Sequence, residues 1–318
     1  MKVLVTGAAG FIGRHVVEEL AWAKHEVFGT FGATYADGAP SSLMSDRWVA
    51  DLAKGWPPCG KVDAVVNLAS ESHVERSIES PADFVRTNVS IALNVLEWAR
   101  WNKVKKFIQF STDEVFGPAP DGVSFKEHDA HCPSNPYSAS KSCQEQIATA
   151  YWRSYGIPTM IVRTMNNFGA GQHREKFIPK VVELLRAGEH VPVHAERVGG
   201  EWRAGSRMWL HASSTASALR FILEGIDPHF YLNGYSRPTT FHVAGEREIN
   251  NLSIVRMAAE VLGVEASIRY VDFHRTRPGH DRRYAIDGSA IRHLGWKPPR
   301  GFDETFRETV LQLAKEQG

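Results

Sequence analysis

The sequence predicts an α/β fold, a parallel sheet covered by helices on both faces, from three observations. Short β-rich runs alternate with longer amphipathic stretches through the first half of the chain. Runs such as KVLVT and DAVVNL read as buried strands. The first of them feeds a glycine-rich turn, TGAAGFIG, that opens into a helical pattern.

Taken in order, Lys2 to Thr6 is the first predicted strand and Phe11 to Ala23 the first helix. Strands follow at Glu26 to Thr30, Arg47 to Ala50 and Asp63 to Leu68. A long helix is expected from Pro81 to Trp101, with proline in its first turn, where a missing N–H costs nothing. The fifth strand is Lys106 to Ser111, then come a second long helix, Pro136 to Tyr155, and a sixth strand, Pro158 to Arg163. After about residue 170 turn residues and charges become denser, with a Gly/Arg-rich stretch, RVGGEWRAGSR, at Arg197 to Arg207. One strand signal, Phe241 to Ala244, precedes a helix at Leu252 to Leu262. This half reads as a smaller mixed α/β lobe made of insertions at the carboxyl edge of the sheet.

The composition narrows the function. A chain of 318 residues is long enough for a substantial core, and 43% hydrophobic with 23% charged residues is ordinary for a soluble globular protein. A formal net charge of +1 does not suit a protein that grips nucleic acid over its whole surface. Cys59, Cys132 and Cys143 are odd in number and match neither a zinc knuckle nor CxxC, which favours a reducing compartment. MKVLVTGAAGFIG does not read as a signal peptide, and no run reaches membrane-spanning length. A soluble cytoplasmic protein is expected.

TGAAGFIG places Gly7, Gly10 and Gly13 between strand and helix. The first allows a tight turn, the second lets backbone approach a pyrophosphate, and the third lets helix and strand pack closely. With the helix N-terminus as anion site, this predicts a doubly wound, Rossmann-type dinucleotide-binding domain over residues 1–170, with some later segments returning to it. Residues 171–318 are expected to form mainly the substrate lobe. The acid that usually grips the adenosine ribose at the end of strand two is missing: the position falls near Phe31. No Arg or Lys stands there for a 2′-phosphate, so NAD is expected rather than NADP, with Asp37 as a substitute ribose contact. Asp51, in VADL, reads as an adenine contact or as a helix cap.

Tyr137 and Lys141 in YSASK lie on one helix face, one turn apart. An ammonium beside a phenol favours phenolate and lowers the tyrosine pKa, which would let Tyr137 take a proton from a substrate hydroxyl. A surface pair is the alternative for so short a pattern. IQFSTDEVFG sets two carboxylates, Asp113 and Glu114, behind a buried strand. Adjacent strand residues point to opposite faces, so both can serve one substrate only if the strand has ended by Asp113. An acidic loop or helix cap is the plain alternative.

Together these motifs resemble the extended short-chain dehydrogenases/reductases, and within them the dTDP-glucose 4,6-dehydratase branch. The resemblance spans nearly the whole chain: TGAAGFIG, LASESHVERSI, STDEVFG, YSASK, NNFGAGQHREKFIP and RPGHDRRYAID. It implies a nucleotide-sugar substrate and a closed redox cycle. Tyr137, helped by Thr112 and Lys141, would take the C4 hydroxyl proton while hydride passes to NAD. Glu114 would then take the C5 proton, and Asp113, protonated, would give its proton to the departing C6 hydroxyl. Hydride returns to C6, leaving a 4-keto-6-deoxy sugar nucleotide. Close buried carboxyls do not ionise independently, so the pair can hold one proton between them at neutral pH. Related 4-epimerases usually carry small residues at these two positions, and other dehydratases Thr-Ser-Glu, so Asp113 moves the reading toward the dTDP-glucose type.

The resemblance further implies cofactor contacts at Phe11, Ile12, Leu52, Leu68 and Ala69, and substrate contacts at Ser72, Asn166, Glu175, Lys176, Arg207, Arg277 and His280. It implies a homodimer through the two long helices and no nucleic-acid, membrane or metal partner. The histidines show no metal spacing; His15, His25 and His73 read as structural or solvated. The chain departs from the family pattern in GAGQHREK, in a longer segment from Val193 to Arg207, and in SRMWLHASSTASAL, which lacks the usual acids. These departures leave the base and the hexose open. The alternatives are another nucleotide-sugar dehydratase or epimerase, or a non-catalytic NAD-binding protein.

Overall fold

The computed structural model describes residues 1–33, 40–229, 237–272 and 281–316. In chain order the first part comprises β1 (Lys2–Thr6), α1 (Phe11–Trp22), β2 (Glu26–Phe31), β3 (Asp46–Val49), β4 (Ala64–Asn67), α2 (Val74–Glu79), α3 (Pro81–Asn102), β5 (Lys106–Thr112), α4 (Pro136–Tyr155) and β6 (Thr159–Thr164). Then come β7 (Asn167–Phe168), α5 (Phe177–Arg186), β8 (Val191–Val198), β9 (Glu201–Ala204), β10 (Ser206–Met208), β11 (Leu210–His211) and α6 (Ala212–Gly225). The chain continues with β12 (Thr239–Val243), β13 (Glu248–Asn250), α7 (Asn251–Leu262), β14 (Ile268–Asp272), α8 (Ser289–His293) and α9 (Phe302–Glu316).

Seven strands form one parallel sheet in the order β12-β6-β5-β4-β1-β2-β3. The order reverses beside β1, the point at which a doubly wound sheet opens a crevice at its carboxyl edge. Alternate residues serve opposite faces. Val3, Val5, Ala64, Val66, Ile108 and Phe110 face a core shared with α1 and α6. Leu4, Val65 and Phe107 face the other, with Ile91, Val95, Leu96 and Ala99 of α3 and Ala148 of α4. Burial on both faces is why these strands read as continuous apolar runs.

The second half is divided. The strand signal near Phe241 is β12, and it joins the large sheet beside β6 instead of building the smaller lobe. A separate core gathers Ile178, Val182 and Leu185 of α5, Val191 and Val193 of β8, Ile254 and Val255 of α7, and Phe306 and Val310 of α9. The Gly/Arg-rich stretch contains a β-hairpin: β8 and β9 pair antiparallel, with Val198 opposite Glu201. Gly199 and Gly200 turn at φ 59° and 89°, the left-handed region a two-residue hairpin loop demands.

Candidate active site

β1, β4 and β5 end side by side at the carboxyl edge of the sheet. Gly7 leaves β1 at φ +67°, and a Cβ there would lie 3.1 Å from the Ala69 nitrogen. A Cβ on Gly13 would stand 2.1 Å from the Gly7 carbonyl oxygen, so α1 rests directly on the turn. Gly10 is the N-cap of α1; no side chain among the described residues caps the helix, and its first turn holds no acid. The first-turn N–H groups, Phe11, Ile12 and Gly13, therefore face outward as a ready anion site. The N–H groups of Leu68 and Ala69 both donate to the Thr6 hydroxyl at 3.1 Å, which draws the end of β4 against the glycine turn. This cradle fits the diphosphate of a dinucleotide.

The ribose side is less specialised. Phe31 ends β2 buried in the core, and Asp37 lies outside the described residues. The Asp51 carboxylate accepts from the Ala53 N–H at 3.1 Å and pairs with Lys54 at 2.9 Å. These contacts hold a turn over residues 52–55, and no helix follows Asp51 for it to cap. Leu52 is buried in the core, and its carbonyl accepts from Asn94 at 2.9 Å.

β5 ends at Thr112, and Asp113–Phe116 form a 3-10 turn, so the two carboxylates escape the alternation of a strand. Thr112 caps this turn by accepting the Glu114 N–H at 3.3 Å, and its hydroxyl donates to Asp113 Oδ1 at 3.2 Å. Asp113 is only 4% exposed, and its Oδ2 has no hydrogen-bond partner among the described residues. Burial first, then the Glu114 charge, pushes its carboxyl up to about 7. Burial also raises Glu114, but Arg207, Lys176 and a hydrogen bond with Asn135 oppose the rise. Tyr284 adds a long hydroxyl contact to Glu114 Oε2 at 3.4 Å. Both carboxyls are thus held above their ordinary range and Arg207 opposes the rise at each, but Lys176, Asn135 and Tyr284 attend Glu114, while Asp113 keeps an unpartnered oxygen.

Asn135 and Ser138 close a capping box on α4, and Pro136 starts the helix, which fixes the position of Tyr137. Tyr137 is hydrogen-bonded to Thr112, yet burial and then the Glu114 charge drive its phenol well above the usual range. The expected lowering by Lys141 is not what the protein alone presents. The Lys141 ammonium instead donates to the Phe110 carbonyl at 2.8 Å and to Gln144 Oε1 at 2.7 Å. Burial brings its pKa down to about 8, against the opposing charge of Glu145.

Sequence reasoning missed the polar chain behind these groups. Thr6 donates to Asn67 at 2.6 Å, Asn67 to Gln109 at 2.9 Å, and Gln109 contacts Gln144 at 3.4 Å. Gln144 in turn donates to the Asn88 carbonyl at 2.7 Å. A glutamine inside the buried strand IQFST was the available signal, since a buried amide needs partners. Tyr284 was visible only within the quoted RRYAID.

The predicted substrate residues partly converge. The Lys176 ammonium donates to the Ser72 carbonyl at 3.3 Å, joining two loops beside Glu114, and Glu175 contacts His73 at 3.4 Å. Asn166 is half-buried where β6 leaves for β7. The guanidinium of Arg207 donates to the carbonyls of Ser206, Asp281 and Arg282 and lies 4.5 Å over the Tyr284 ring. Arg277 and His280 lie outside the described residues.

Residues 3–231 match the model of the NAD dependent epimerase/dehydratase family. The chain is 36% identical to dTDP-glucose 4,6-dehydratase 1 of Escherichia coli K12, covering 98% of this chain and 92% of that protein. It is 34% identical to the low-salt glycan biosynthesis protein Agl12 of Haloferax volcanii, covering 98% and 97%. The crystal structure of a double mutant of DesIV, a dTDP-glucose 4,6-dehydratase from Streptomyces venezuelae with NAD and DAU bound, superposes with a TM-score of 0.85 at 33% identity, covering 100% of this chain and 98% of that one.

Proposed function

The chain belongs to the NAD dependent epimerase/dehydratase family, and from that premise we propose that it is an NAD-dependent nucleotide-sugar 4,6-dehydratase with dTDP-glucose as the leading substrate. The observation that carries this reading is the pair at the end of β5, a buried, proton-holding Asp113 next to a Glu114 set among cations. An epimerase has no water to expel and needs no such pair.

NAD, held by the glycine cradle, supplies the hydride acceptor and donor and a positively charged ring in its oxidised form. Tyr137 accepts the proton of the C4 hydroxyl, oriented by the Thr112 hydroxyl. The protein alone does not lower the Tyr137 phenol; with NAD bound, the Lys141 ammonium and the oxidised ring would together favour the phenolate electrostatically. Once C4 is a ketone, the C5 proton is acidic enough for the Glu114 carboxylate to remove. Asp113 gives its proton to the C6 oxygen, because hydroxide is a poor leaving group and water a far better one. Lys176 and Arg207 offer positive charge for the substrate diphosphate.

The β8–β9 hairpin and the GAGQHREK loop are where the chain leaves the family pattern, so the test uses several bases and hexoses. Incubation of the purified protein with a panel of nucleotide sugars should yield, with dTDP-glucose above the others, a product lighter by one water in the mass spectrum. Turnover of none of them overturns the reading.

A homodimer through α3 and α4 fits this reading. Trp101 on α3 and Tyr155 on α4 are 65% and 53% exposed, large apolar surface for helices to leave in water. Light scattering at micromolar concentration should give twice the chain mass; a monomer refutes the dimer. Among the described residues no helix is long and apolar enough to cross a membrane. The free thiols of Cys59, Cys132 and Cys143 fit the reducing cytoplasm in which we place the protein.

A further inference from the structure

We propose that His73, His173 and Glu175 form a site for a transition-metal dication of the zinc class at the mouth of the substrate cleft. His73 is the residue before α2, while His173 and Glu175 lie in the loop before α5. Glu175 Oε2 lies 3.4 Å from His73 Nδ1 and 3.6 Å from His173 Nδ1. All three donor atoms lie within 4.8 Å of one another.

Zinc bonds to imidazole nitrogen and carboxylate oxygen are about 2.0–2.2 Å, so ligand atoms of a tetrahedral set stand roughly 3.3–3.6 Å apart. Two of the three separations already have that length. The imidazoles meet edge to face, with ring centres 5.2 Å apart, and His173 is exposed, so rotation of its ring can close the third. Two imidazoles and one carboxylate are also the donor set of open zinc sites, which leave a fourth position for water or substrate. The carboxylate brings one negative charge. Lys176 opposes the ion by its charge, but its ammonium is turned onto the Ser72 carbonyl, 3.3 Å away. This opposition sets the site apart from closed structural zinc centres and makes it a weaker, reversible one.

A bound ion ties the loop of Ser72 and His73 to the loop of Glu175 and Lys176. It also occupies Glu175, a substrate contact implied by the family resemblance; only this consequence rests on the dehydratase reading proposed above. The sequence conceals the site because its histidines come from segments far apart in the chain.

The test is a Co2+ titration of the full-length protein without substrate, read by the visible absorption of the bound ion, followed by displacement with Zn2+. One saturable ion per chain is expected. His73→Ala and His173→Ala should each weaken binding by about tenfold or more, since even the loss of a supporting contact behind a metal ligand costs that much. No saturable binding, or wild-type affinity in both variants, overturns the site. With nucleotide sugar added, Zn2+ should slow the wild type but not His173→Ala; equal inhibition of both overturns the link to the cleft. The titration needs no turnover, so its failure and the failure of the dehydratase reading are distinguishable.

Discussion

The ammonium of Lys141 donates at 2.7 Å to the side-chain carbonyl of Gln144, one turn further along α4. The same amide donates to the Asn88 carbonyl of α3, so the lysine of the YSASK motif is held by a residue anchored on the neighbouring helix. A buried ammonium keeps its charge only while such acceptors surround it.

Gln144→Leu removes one of the two acceptors of the Lys141 ammonium among the described residues, leaving the Phe110 carbonyl. A hydrogen bond to a charged group is worth about 1.5–3 kcal/mol, so the Lys141 pKa should fall by roughly 1–2 units. Single-turnover NADH formation then loses its alkaline limb at lower pH than in the wild type. A merely structural glutamine would lower the melting temperature and leave that limb in place.

Asp113→Asn removes the proton given to the leaving hydroxyl and leaves Tyr137 and Glu114 in place. Exchange of the C5 hydrogen with deuterated water should continue while dehydration slows by about 10²–10⁴-fold, the usual worth of a general acid. Wild-type dehydration rates in the variant would reject the acid role.

Stability should report the same carboxyl. Asp113 binds a proton more tightly folded, at about 7, than at the ordinary value of 3.8 expected of an unfolded chain. Its contribution therefore opposes folding increasingly as the pH rises from the lower value to the upper, and levels off above it. Urea denaturation at about pH 5 and about pH 8 should show Asp113→Asn gaining about 2–3 kcal/mol on the wild type between the two. A pH-independent difference would mean that Asp113 is not held protonated.

Gly13→Ala places a Cβ where the Gly7 carbonyl stands 2.1 Å away, and both are backbone-anchored. Overpacking of this kind costs about 1–3 kcal/mol, and the displaced turn loses its phosphate cradle. The variant should unfold at lower temperature and release no NAD on denaturation, read by absorbance against the wild type.

The sheet was legible because strands buried on both faces must be apolar along their whole length, and that leaves a mark in KVLVT and DAVVNL without any partner being known. The α4 boundaries were legible because Pro136 and Gly156 are local start and stop signals. The phosphate turn and the YxxxK pair were equally local, the first at one strand–helix junction and the second within one turn of α4. Strand β9 was not, because its glycine turn and charged flanks resemble a loop until β8 is there to pair with it. Tertiary structure alone decided that β12 returns to the large sheet, since strand pairing is a choice of neighbour and not of sequence. It also set the surroundings of the two carboxylates. Asp113 and Glu114 are adjacent in the chain, and only the folded surroundings separate them: an orphaned oxygen for one, Lys176, Asn135 and Tyr284 for the other, with Arg207 acting on both. Ionisation depends on desolvation and on charges within a few ångströms, and those come from distant parts of the chain.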